Sequence, residues 1–123
     1  MNLQPFSVPQ CEALLDLALL AMYADGHLAT AEDERVHRLL SAMGVAAESD
    51  RARHYDAAVA RVRGHAQSAA GARSHASKLA GHFATSEHRR QVMAVLDELI
   101  ASDSQVAPQE RGYLSAVQEA LGM

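Results

Sequence analysis

Residues 11–44 read CEALLDLALLAMYADGHLATAEDERVHRLLSAMG, and residues 89–122 read RRQVMAVLDELIASDSQVAPQERGYLSAVQEALG. Laid over one another at an offset of 78, the two stretches share Asp25 with Asp103, Ala29 with Ala107, Glu32 with Glu110, Ala42 with Ala120 and Gly44 with Gly122. Four further pairs keep apolar character: Leu28 with Val106, Val36 with Leu114, Leu39 with Val117 and Met43 with Leu121. The matches fall where a helix, loop, helix unit needs them, and internal self-similarity of this kind reads as a duplicated supersecondary unit. Each copy is an apolar helix, then Asp-x-x-(Leu/Val)-Ala-x-x-Glu, then an amphipathic helix stopped by glycine.

The rest of the chain fits around these two copies. Ser7 and Pro9 mark an N-cap and a first-turn proline, after which Cys11, Leu14, Leu15, Ala18 and Met22 share one helical face. Leu17, Leu19 and Leu20 fill much of the remaining circumference, so this first helix is expected to be contacted from several sides. Thr30 with Asp33 opens the second helix and Gly44 ends it. A third helix is expected from Ser49 to about Gly64, and one or two shorter ones up to Phe83, because Gly71 and Gly81 each weaken a helix interior. Ser86 is expected to cap a helix over Glu87 to Ala101, and Pro108 to start the last one. No stretch alternates apolar with polar as a strand does. The expected fold is all-α: one compact domain over 1–123 with about six or seven helices, repeat units at about 11–44 and 89–122, and basic linker helices across 49–83.

Composition narrows the function classes. A chain of 123 residues buries enough surface to fold unaided, and its single cysteine, Cys11, forms no internal disulfide, which suits a reducing, cytoplasmic location. The apolar run from Ala13 to Ala24 is interrupted by Asp16 and spans only about 18 Å as a helix, short of a bilayer. The net charge of -4 conceals a basic centre: residues 45–90 hold eight Arg and Lys against four acids. With aromatics at 4% and a pI near 5.9, that centre does not resemble a nucleic-acid surface and reads as a solvated face.

The residues Ala24-Asp25-Gly26-His27-Leu28 through Glu32, paired with Ser102-Asp103-Ser104-Gln105-Val106 through Glu110, resemble the twin motifs of the TerB (tellurite-resistance) family and its relatives, among them the N-terminal domain of a membrane-anchored DnaJ-type co-chaperone. The resemblance runs from about Cys11 to Gly122. It implies a non-enzymatic helical module of bacterial stress and metal-resistance systems, with clustered acids that hold a divalent cation. It also implies a protein partner, one that is membrane-associated in some relatives. Ser104 departs from the glycine usual at that place, and the middle segment is richer in Arg, His and Ala than the family pattern.

On chemical grounds Asp25, Glu32, Asp103 and Glu110 form a candidate hard-cation set, since Ca²⁺ and Mg²⁺ select several oxygen ligands. The alternative is local: each Asp and Glu serves the N–H groups and dipole of its own helix. An EF-hand is excluded, because counting from Asp25 its sixth and twelfth positions hold Thr30 and Val36 instead of Gly and Glu. His54 with His65, and His75 with His82, share helix faces but lack the further close ligands that zinc requires. His27 lies within the first acidic loop. Cys11 on an apolar face is an inert thiol, and no triad, phosphate loop or paired-acid cleft appears, so an enzyme is not expected. Met22, Met43 and Met93 are core fillers. A competing reading is a metal-free helical adapter whose basic residues Arg61, Arg63, Arg73 and Lys78 dock an acidic partner; a homodimer is compatible with either.

Overall fold

A computed structural model describes residues 6–25, 34–45, 47–65, 68–101 and 108–122. Its six helices are α1 (Val8–Asp25), α2 (Glu34–Ala42), α3 (Glu48–Val62), α4 (Ala69–Ala80), α5 (Ser86–Ala101) and α6 (Pro108–Ala120), and no strand occurs among the described residues. The chain is an all-α bundle, as its periodicity requires.

The first helix sets the arrangement. From Ala13 to Leu20 every residue is buried, including Leu14, Leu17, Leu19 and Leu20 at 0% exposure. A helix apolar on all sides has no face to turn to water, so it must be surrounded. It packs against α2, α3, α4, α5 and α6, and the closest pairing between two other helices is α4 with α6. The outer helices each supply one stripe: Val36, Leu39 and Leu40 from α2; Tyr55, Ala58 and Val62 from α3; Ala72, Ala76 and Leu79 from α4; Val92, Met93, Val95 and Leu96 from α5; Tyr113 and Val117 from α6.

Helix ends follow local chemistry. Ser7 and Gln10 form a reciprocal box: the Gln10 N–H donates to Ser7 Oγ at 3.3 Å and the Ser7 N–H to Gln10 Oε1 at 2.9 Å. Gly44 has φ +90°, which lets Val45 N–H reach Leu40 O at 2.9 Å and Gly44 N–H reach Ser41 O at 3.0 Å, satisfying carbonyls the helix leaves open.

Two expectations need correction. Helix α5 is capped by Thr85, whose Oγ1 accepts from His88 N–H at 3.1 Å, so Ser86 is its first residue and not its cap. The segment before Phe83 forms one helix of 12 residues, within the one or two short helices expected, but the weakening expected from its glycines does not arise. Gly71 lies in the first turn of α4 and donates to the Ser68 cap, while Gly81 falls just past the end, so neither weakens the helix interior.

Replacing Leu20 by Ala is expected to lower unfolding free energy by roughly 2–5 kcal/mol, whereas Val8→Ala, at a position 71% exposed, shifts it by about 0.5 kcal/mol or less. Urea denaturation followed by helical circular dichroism reads both.

Candidate functional site

The backbone places Asp25 at the last position of α1 and Glu110 at the third position of α6. The side chains of those two acids, and the whole of Glu32, Asp103 and His27, lie outside the described residues. What the described residues do give is the framework that carries the two loops.

That framework repeats at a spacing of 78. Ser7 caps α1 and Thr85 caps α5 in the same way; Gly44 and Gly122, at φ +90° and +74°, end α2 and α6. Gln10 and His88, also 78 apart, touch each other, with Gln10 Nε2 at 3.3 Å from His88 Nδ1. Gln10 Nε2 also donates to His82 O at 2.9 Å. Phe6 lies edge-on to Phe83, with ring centroids 5.6 Å apart, and tilted against His88 at 4.9 Å. Helices α1 and α5 therefore start side by side. Toward the other end of α5, Glu98 lines a shared groove with His37, Arg38, Ser41 and Ala42 of α2.

A second polar cluster sits at the middle of α1. Asp16 is 2% exposed, and Arg61 of α3 clasps it through Nε at 2.9 Å to Oδ2 and one terminal nitrogen at 2.9 Å to Oδ1. This two-pronged match of guanidinium to carboxylate is the geometry that makes a buried acid tolerable. The hydrogen bond that Arg61 donates to Asp16 raises the Arg61 pKa further, so the arginine stays charged. One residue along, Leu17 O accepts the buried Tyr113 hydroxyl at 2.7 Å. Burial, with the negative charge of Asp16 adding to it, holds that phenol well above its usual pKa. Asp16, Arg61, Glu12, His75 and His82 line a groove of about 360 Å³ beside α1.

The sequence placed the loop acids but not this cluster. Its signal was a lone acid inside an otherwise apolar run, and an arginine three residues beyond Ala58 on the inward face of α3. Arg61, expected on the basic docking face, has its charge matched by Asp16 while its side chain stays 38% exposed; Arg63, Arg73 and Lys78 are exposed as well. Cys11 is half-buried beside Leu15, Leu40 and Met43. Burial, helped by the charge of Glu12, pushes its thiol up and away from the nucleophilic thiolate. His65 stacks on His75, and among the described residues no three His, Cys, Asp or Glu side chains gather closely enough to hold a metal. No helix among the described residues is long and apolar enough to cross a membrane.

A bundle of short helices wrapped on a buried first helix, with an acidic connecting sequence after the first and fifth, defines a class of small helical module. The family model described as tellurite resistance protein TerB matches residues 11–123, and the chain belongs to that family. No curated protein and no solved structure matched the chain.

The ion pair makes an asymmetric prediction. Arg61→Ala leaves Asp16 buried without a counter-charge and is expected to cost roughly 2–3 kcal/mol, less than a fully buried pair because the Arg61 side chain is 38% exposed. Asp16→Leu, which removes the buried charge and lets Arg61 turn to water, should cost about 1 kcal/mol or less. Thermal unfolding of the two variants at pH 7 orders them.

Proposed function

We propose that this TerB-family chain is a non-catalytic module that binds a divalent cation between its two acidic loops and presents the loaded end to a protein partner in a cytoplasmic stress or metal-resistance response. Asp25 and Glu32 supply ligands from the first loop and its following helix, Asp103 and Glu110 from the second. A set made only of carboxylates fits Ca²⁺ or Mg²⁺ and not a thiolate-seeking ion.

The observation that carries the reading is the side-by-side start of α1 and α5. Gln10 of the first unit touches His88 of the second, 78 positions away, and each helix leads into its own acidic loop. Two units packed about such a contact are what a duplication with a pseudo-twofold relation produces. The groove in which Glu98 of α5 faces His37 and Arg38 of α2 supports the same pairing near the far end, because α2 follows the first loop and Glu98 lies three residues before α5 ends. In a shared site the cation would relieve the repulsion among its four carboxylates.

An alternative is a metal-free adapter that docks an acidic partner on its middle segment. Exposed Arg63, Arg73 and Lys78 favour it. The internal pairing of Arg61 leaves that surface less basic than residue counting suggests.

Calcium and magnesium titrations of the full chain, followed by backbone amide NMR, test the cation reading. Saturable shifts are expected at Asp25, Glu32, Asp103 and Glu110 together, with binding weakened at least about tenfold in Asp25→Asn and equally in Asp103→Asn, since one shared site loses a ligand in either case. Shifts confined to one loop, or none at millimolar ion, sink the shared site and favour the adapter.

A further inference from the structure

His65, in the turn that ends α3, lies flat on His75 in the middle of α4, with ring centroids 3.9 Å apart and planes 8° from parallel. The turn folds back so tightly that Gly71 is obligatory beneath it. A β-carbon there would come to 2.9 Å from His65 O and 3.0 Å from Ser68 Oγ. The stack and this close approach together fasten the end of α3 to the start of α4.

The inner ring is poorly placed to take a proton. His75 Nε2 is buried and has no hydrogen-bond partner among the described residues. Burial lowers the His75 pKa most, the neighbouring His65 lowers it further, Lys78 on the same helix adds to the lowering, and Asp16 across on α1 opposes it. Asp16 is already matched by Arg61 of α3, while Glu12 of α1 and His82 beyond α4 stand at the same groove. On α6, among residues with described side chains, the titratable groups are the buried, neutral Tyr113 and the exposed Glu119.

We propose that the His65–His75 stack is a proton-operated clasp on the α3–α4 connection, closed while both rings are neutral and released by mild acidification. Two imidazolium rings in face contact repel, so protons bind the open form in preference. The sign follows from linkage. The folded-state affinity of His75 for a proton is depressed, so the clasp contributes fully above the ordinary imidazole value of about 6.5 and loses its contribution as pH falls below it. Release converts the turn carrying Arg63 and His65 into a mobile cationic segment, a change of state independent of any ion at the acidic loops.

Hydrogen exchange of the full chain at pH 7.5 and 5.5, corrected for intrinsic rates, reads the clasp at the amides of His65, Gly71 and Ala72. These bond to Val62 O, Ser68 Oγ and Ser68 O. Protection is expected to fall about tenfold at the lower pH while α1 and α5 amides hold. His65→Phe, at an exposed position, and His75→Phe both keep a stacked ring without the second proton site and should retain protection at pH 5.5. Equal loss in wild type and both variants, or no loss in wild type, overturns the proposal. So does a His75 ring titrating at or above 6.5 by NMR in the wild-type chain, a reading that does not depend on either variant folding.

Discussion

Everything in this bundle depends on the exclusion of water from α1. Eight consecutive residues, Ala13 to Leu20, are buried on every side of the helix, so the other five helices are organised as its wall, within which α4 and α6 also pack extensively on each other. This inverts the usual balance of a small helical protein, in which each helix hides one stripe and shows another. The outer helices obey the usual rule. Helix α2 alternates buried Val36, Leu39 and Leu40 with exposed Arg38 and Ser41, and α3 hides Tyr55, Ala58 and Val62 while exposing most of its charges.

A helix enclosed so completely can admit polarity only where the wall answers it. Asp16 is answered by Arg61 with two-pronged geometry, and Leu17 O by the Tyr113 hydroxyl. Both contacts fix register as well as energy. The ion pair sets where α3 crosses α1, and the tyrosine sets where α6 does, joining residues 96 positions apart. Apolar side chains repack with little penalty, but a carboxylate and its guanidinium accept few alternative alignments. At the start of the helix Gln10 does comparable work, linking α1 to His82 O and to His88.

Periodicity made the helices and the central place of α1 legible, because Leu17, Leu19 and Leu20 leave no polar face. The glycine stops at 44 and 122 were equally plain, since a positive φ at a helix end selects that residue. The polar cluster was not legible: nothing in the one-dimensional spacing of Asp16 and Arg61, 45 positions apart, says that α3 turns that arginine inward. The cap of α5 was misplaced by one residue because Thr85 and Ser86 offer the same hydroxyl, and only backbone geometry chooses between them. The loop acids stand in a different position. Their spacing came from sequence self-similarity, and the framework adds to it the adjacency of the helices that lead into them, through Gln10 and His88.

The burial of α1 also bears on how the chain is made. The ribosome makes α1 well before the tyrosine that seals its midpoint, which follows 96 positions after Leu17. At roughly 5–20 residues per second, the nascent polypeptide shows that naked apolar rod for several seconds before its final covering exists. A chain cut before α6 would thus leave a sticky fragment in place of a smaller folded one.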